Sequence, residues 1–425
     1  MRAAKFRRWL IVGIGVALLC ALPGAVGALP VHAVNLSTAE LESRILASTD
    51  HPYQGYAEND GRLDLPQLPQ LSSVSSLLSG TTMIRTWYSN ANQWRTDIVT
   101  DTGEQDMYQD ARGTTAWDFE TGQVTRLNGT PPAHLPRAQD FVPQQLALRL
   151  LHTAGKADSV TSLPAQRVAG IAADGLQIVP ASADNTIGRI DIWADPDTGV
   201  PLEVSIYGRG ESAPALTTRF LDVELTAPAA STVTFQAARG LAKSTTNTDD
   251  FDTLLAGTPF VSLPPTLAGG HAQPVQSGTD TVEYGSGLDS ILVFGLPPTT
   301  GSSAMSAAAP AAAPVTFTDG TGELIKTPLL NLLLVRLGTD KHSLIFLLAG
   351  FVGSDRLVQA GTDLVNQFAN VSVLCVPHEA CMSFNPGPDS TGWTLPISAP
   401  GCTVQALSND GFEFSCPPPT PGDDR

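Results

Sequence analysis

From Asn35 to Leu374 the chain contains no cysteine, so no disulfide staples its body. Basic residues are scarce: 24 Lys and Arg face 41 Asp and Glu, for a formal net charge of −17. Such a surface repels phosphate backbones and anionic headgroups, which excludes a nucleic-acid partner and attachment to a bilayer through surface charge. The nucleophile-elbow, zincin and P-loop patterns are missing, and Gly320-Thr321-Gly322 ahead of Lys326-Thr327 lacks the P-loop spacing. The seven histidines are scattered, with none paired at metal-ligand spacing on a helix. The apolar run at 345–352 is too short to span a membrane, which takes about 20 residues. These absences leave no motif for an enzyme, a cofactor or a metal, and a binding role is the expectation.

What is present begins with a leader. Arg2, Lys5, Arg7 and Arg8 form a basic region, residues 10–21 an apolar one, and Pro23 and Gly24 break it. Cleavage after Ala28 or Ala33 would release an exported chain, and an uncleaved anchor over 9–28 is the alternative. Cys20 follows Leu19, where a lipobox needs a small residue. The four remaining cysteines, Cys375, Cys381, Cys402 and Cys416, all fall in the last segment. In an exported chain an even number favours disulfides, with three pairings open; Cys375, His378 and Cys381 could instead hold zinc.

The pattern divides into a leader at 1–33, a domain at 34–240, a connector at 241–281, a smaller α+β domain at 282–365 and a Cys/Pro-rich, poorly ordered tail at 366–425. A helix is expected at 38–47, capped by Ser37 or Thr38. Short alternating runs at 82–88, 93–100, 106–110, 115–119 and 123–127, separated by turn residues, read as an antiparallel meander. Residues 141–151 make the best helix, with Pro143 in its first turn and Leu146, Leu150 and Leu151 on one face. Strands follow at 175–179, 187–207, 217–225 and 232–236. In 217–225, Phe220, Asp222 and Glu224 alternate against Leu221, Val223 and Leu225, a wet face and a dry one. In the smaller domain the run 297–314 is expected to be a mobile low-complexity loop. Strands are expected at 324–327, 332–337 and 344–348, and a helix at 354–365.

The most informative stretch is 188–206, GRIDIWADPDTGVPLEVSI. Ile190, Ile192 and Ala194 alternate with polar residues before Asp195-Pro196-Asp197-Thr198-Gly199, and Leu202, Val204 and Ile206 do so after it. That is a hairpin; the turn reading is preferred over a calcium loop because the further ligands are missing. Asp101 and Glu104, around Thr102-Gly103, read likewise as a solvated turn.

IDIWADPDTGVPLEV, together with RVAGIAADGLQIVP at 167–180 and LLSGTTMIRTWYSNANQWRTDIVTDTGEQDMYQD at 77–110, resembles the LolA/RseB-like family. TPLLNLLLVR followed by FLLAGFV resembles the C-terminal portion of its actinobacterial members. The resemblance implies a mostly β fold: an open, curved antiparallel half-barrel with a helical lid, plus a smaller C-terminal α+β domain. It implies an extracytoplasmic protein that holds a lipid or lipoprotein acyl chain in an apolar groove. The alternative is an RseB-type regulator acting on an anti-sigma factor or another membrane protein. The groove would be lined by Trp87, Trp94, Trp117 and Trp193 and lidded by Leu146 and Leu150, with Arg85 or Arg95 meeting a headgroup.

Overall fold

The computed structural model describes residues 34, 36–66, 72–99, 103–129, 134–236, 242–247, 250–256, 258, 263–275, 281–338 and 343–368, and four short strands at 372–375, 381–384, 403–406 and 412–415. The leader, Cys402 and Cys416 lie outside them.

Twelve strands form the first sheet. They are β1 (Tyr53–Gly61), β2 (Thr81–Asn90), β3 (Gln93–Val99), β4 (Glu104–Asp110), β5 (Gly113–Asp118), β6 (Gln123–Asn128), β7 (Ser159–Val168), β8 (Ile171–Val179), β9 (Ile187–Ala194), β10 (Pro201–Gly208), β11 (Leu216–Glu224) and β12 (Ala242–Thr246). Their order is β12-β6-β5-β4-β3-β2-β1-β11-β10-β9-β8-β7, so the sheet is open, with β12 and β7 at its edges. Every pairing is antiparallel except β12 on β6. The expected meander is β2–β6. Edge strand β7 is mostly polar and carries Pro164, which hid it from a reading by hydrophobic alternation.

One face of this sheet, the inner face, is covered by α1 (Thr38–Ala47), by α2 (Ser72–Leu78) and by α3 (Pro143–Thr153). Ser37 caps α1 by accepting from the Glu40 N–H at 3.2 Å, and Leu41 and Ile45 face the core. The β9–β10 hairpin supplies the opposite wall: Ile190, Ile192, Ala194, Leu202, Val204 and Ile206 are all buried. In its turn the Asp195 carboxylate accepts from the Thr198 N–H at 2.9 Å and the Thr198 hydroxyl at 2.6 Å. Gly199, at φ +74°, lies against the end of α1, where a Cβ would sit 2.2 Å from the Arg44 carbonyl oxygen. Arg44 in turn donates to the Pro196 carbonyl. Only glycine meets both demands, the left-handed angle and the close approach.

Two expectations are corrected on β11 and beyond. Phe220 is buried and Leu221 exposed, the reverse of the expected faces. A β-bulge is the reason: the register opposite β1 slips between Tyr56, which faces Asp222, and Ala57, which faces Phe220. Residues 232–236 form no strand. They are irregular, with Val233 buried and Phe235 edge-on to Tyr108 at 5.2 Å.

The second sheet holds β13 (Thr266–Leu267), β14 (Gly270–Pro274), β15 (Thr281–Tyr284), β16 (Ile291–Leu296), β17 (Ala313–Phe317), β18 (Gly320–Ile325), β19 (Asn331–Leu337) and β20 (Leu344–Gly350), in the order β13-β14-β15-β16-β20-β19-β18-β17. It is buried on both faces. Leu333, Val335, Phe346 and Leu348 pack with α6 (Ser354–Phe368), whereas Leu332, Leu334, Ile345 and Leu347 pack with α4 (Asp250–Leu255) and α5 (Pro298–Ala308). That is why β19 and β20 read as continuous apolar runs. Helix α5 corrects the expected loop: its Ala and Gly residues let it lie close, with Gly301 against Ile345 and Ala304, Met305 and Ala308 buried.

The two sheets meet at a hydrogen-bonded seam. Thr186 N–H donates to Phe351 O at 2.9 Å and Gly353 N–H to Asp184 O at 2.7 Å. Asn185, 1 % exposed, donates through Nδ2 to Leu288 O at 2.8 Å and to Asp289 Oδ1 at 2.7 Å. Its Oδ1 accepts from Ile187 N–H at 2.7 Å. Leu288 and Leu329 join the core of the first sheet.

Candidate functional site

The helix expected to lid a groove is a core helix. Leu146 and Leu150 on α3 are 8 % and 6 % exposed and pack with Leu202, Val204 and Phe220 in one cluster. The apolar stripe of α3 is spent on β10 and β11, and neither leucine lines the cavity described next.

The open space lies ahead of α3, between strands β3–β6 and the chain at 135–139. It is a cavity of about 360 Å³, within the usual range for small-ligand sites. Ile98, Met107 and Ala116 supply apolar surface from the strands, and Leu77, Leu135 and Pro136 from the covering segments. A short 3-10 helix, Ala138–Phe141, sets the cover, and the Asp140 carboxylate accepts from the Arg137 N–H at 2.8 Å. Two polar atoms stand out. Gln139, 7 % exposed, contacts Thr96 Oγ1 through Oε1 and leaves Nε2 buried with no partner among the described residues. The Trp117 indole Nε1 is buried in the same condition, on the opposite face, where the register sets Trp117 against Asp106. Near the cavity's Asp118 and Thr121, Phe119 is 61 % exposed and packs edge-on against Trp117 at 5.8 Å.

Strands β3 and β4 carry a different chemistry on their outer face. The Arg95 guanidinium donates to both oxygens of Asp97, each at 2.6 Å, and to Asp106 Oδ2 at 2.9 Å. It lies between the rings of Trp87 and Tyr108, 4.9 and 5.0 Å from their centroids. Ligand oxygens of Asp97, Glu104 and Asp106 come within 4.8 Å of one another, and Arg95 is the cation they share. Both aspartates are buried, and Asp106 Oδ1 has no partner among the described residues. Burial pushes the Asp97 carboxyl up to about 7, the Asp106 charge adds to the rise, and Arg95 opposes it. Burial and Glu104 raise Asp106 as well, again against Arg95.

The residues singled out in the sequence therefore divide. Trp94 shares the inner face with Thr96 and Ile98, and Trp87 lies on the outer face over Arg95. Trp193 alternates with buried Ile192 and Ala194, and its Nε1 donates to Pro164 O at 3.1 Å. Trp117 alone of the four borders the cavity. Arg95 is consumed by Asp97 and Asp106, and Arg85 approaches Glu104 at 3.7 Å; the arginine among the cavity's lining residues is Arg137. Thr96, Ile98, Met107, Ala116 and Gln139 were missed. The signal for the strand residues was parity with Trp94 across the meander; nothing local marks Gln139. Cys375 and Cys381 fall in short strands of the last segment.

The chain thus forms an open, almost wholly antiparallel sheet with a helix across its inner face, a cavity beside that helix and a smaller appended sheet. No family model matches the chain, and no curated protein matches it. Among solved structures it is similar to a chain of the Pseudomonas aeruginosa MucA/MucB complex, at 16% identity over 76% of this chain and 96% of that one, with a TM-score of 0.43. A crystal structure of MucB in complex with MucA(peri) gives 17% identity, 76% and 97% coverage and 0.42. A LolA superfamily protein from Nitrosomonas europaea gives 11%, 47% and 98%, and 0.21.

Proposed function

We propose that this is an extracytoplasmic binding protein that holds the acyl chain of a lipid or lipoprotein in the cavity under residues 135–139. The observation that carries the reading is a cavity of about 360 Å³ with Ile98, Met107, Ala116, Leu77, Leu135 and Pro136 in its wall. Apolar walls favour methylenes at ~0.8 kcal/mol each without directional contacts. The leader supports the location.

Ala116→Phe fills the cavity from β5 and tests this directly. A fluorescent fatty-acid probe binds the variant at least tenfold more weakly, while its thermal midpoint stays near that of the parent. Equal affinity in a folded variant refutes the assignment.

The appended eight-stranded sheet favours a second reading, a regulator that contacts a membrane protein, since a minimal carrier has no need of it. Cross-linking in the membrane fraction distinguishes the two: a specific protein adduct on residues 281–368 supports the regulator.

A further inference from the structure

The last segment carries four cysteines, two of them in one described hairpin, and the strand register of that hairpin separates the three pairings that the sequence leaves open. Strands β21 (Ser372–Cys375) and β22 (Cys381–Phe384) pair antiparallel, with Ser372 opposite Phe384, Val373 opposite Ser383, Leu374 opposite Met382 and Cys375 opposite Cys381. The two cysteines thus form the last rung of the ladder, closing a five-residue loop, 376–380. Directly opposed residues of an antiparallel pair have Cα atoms about 4.5–5.5 Å apart, inside the roughly 4.4–6.8 Å that a disulfide spans. The second hairpin, β23 (Thr403–Ala406) with β24 (Phe412–Ser415), begins with Thr403 opposite Ser415. In the sequence Cys402 immediately precedes Thr403 and Cys416 immediately follows Ser415. With Cys375 and Cys381 paired, these are the two cysteines of the segment that remain.

We propose that Cys375 bonds Cys381 and Cys402 bonds Cys416, so that each hairpin is closed by its own disulfide. Each bond forms as two thiols give up two protons and two electrons to the disulfide of an extracytoplasmic thiol–disulfide oxidoreductase, which leaves as the dithiol. Either crossed pairing would tie one hairpin to the other and would abandon the Cys375–Cys381 rung. The inference rests on the export reading, and the experiment separates the two.

Full-length protein recovered from outside the cytoplasm of its host is alkylated without reduction and cut before aspartate. The informative fragments are 363–388, with Cys375 and Cys381; 389–409, with Cys402; and 410–422, with Cys416. The expected result is that 363–388 runs alone, unalkylated, and gains two hydrogens on reduction, while 389–409 and 410–422 run joined. A covalent link from 363–388 to either other fragment overturns the pairing. Alkylated thiols at Cys375 and Cys381 overturn it too, with or without zinc retained by the undigested protein. The same digest reports the amino terminus: an intact Met1 on protein found only in the soluble cytosolic fraction overturns export by itself, and the pairing is still judged on the fragments.

Discussion

Asp97 lies at the centre of the outer-face cluster, and its burial makes a signed prediction about stability. In the unfolded chain the carboxyl titrates near 3.8; in the fold it is pushed up to about 7. Between those values the folded protein keeps a proton that the unfolded chain has released. Stability from this group is therefore complete below about pH 4 and is lost as pH rises through 7. The interval corresponds to about 4 kcal/mol at most. Asp97→Asn fixes the neutral form and keeps one acceptor oxygen for Arg95, with Asp106 still 2.9 Å away. Urea unfolding of parent and variant is compared from pH 4 to 8, and the difference cancels the carboxylates outside the Asp97–Glu104–Asp106 cluster. The variant gains on the parent as pH rises, with most of the change above pH 5. If instead the parent gains on the variant, the bidentate contact with Arg95 outweighs burial, Asp97 is ionised throughout, and the reasoning fails.

Gly199→Ala forces a left-handed angle on a residue with a Cβ and drives it into the Arg44 carbonyl; a loss of at least about 2 kcal/mol in chemical unfolding is expected. Asn185→Ala strips partners from Leu288 O and Ile187 N–H in a buried seam and costs about 2–4 kcal/mol, read as an earlier thermal midpoint. Leu150→Asp buries a carboxylate in the main core and lowers stability by more than about 3 kcal/mol; an unchanged midpoint would show that α3 is a lid after all. Phe368 stacks on Phe346 at 5.6 Å, so truncation after Val365 destabilises the second sheet by about 3 kcal/mol or more, whereas truncation after Phe368 spares that contact.

The legible parts of the fold are those where local chemistry and burial agree. Helix Thr38–Ala47 has its cap, its acidic first turn and its apolar stripe, and it forms over those ten residues. The β9–β10 hairpin alternates on both sides of a turn whose Asp, Pro and Gly each have a defined task. Elsewhere the deciding contact is distant. The bulge at Leu221, skipped between the partners of Tyr56 and Ala57, shows only in the pairing of β11 with β1, and it reverses Phe220 and Leu221. Helix α5 looks like low complexity because small residues are what close packing on β20 demands. The cavity's location was illegible for the same reason. Whether α3 covers open space or fills its own footprint depends on side chains from β10 and β11, and Gln139 becomes a site residue only once the chain ahead of α3 folds back over β3.

The seam at Asp184–Thr186 ties the second sheet to the connection between β8 and β9 by backbone rungs and a buried asparagine. The cavity sits on β3–β6 of that same continuous first sheet. The seam thus anchors the second sheet directly to the sheet that carries the cavity, at a connection that β2, β1, β11 and β10 separate from the cavity's own strands.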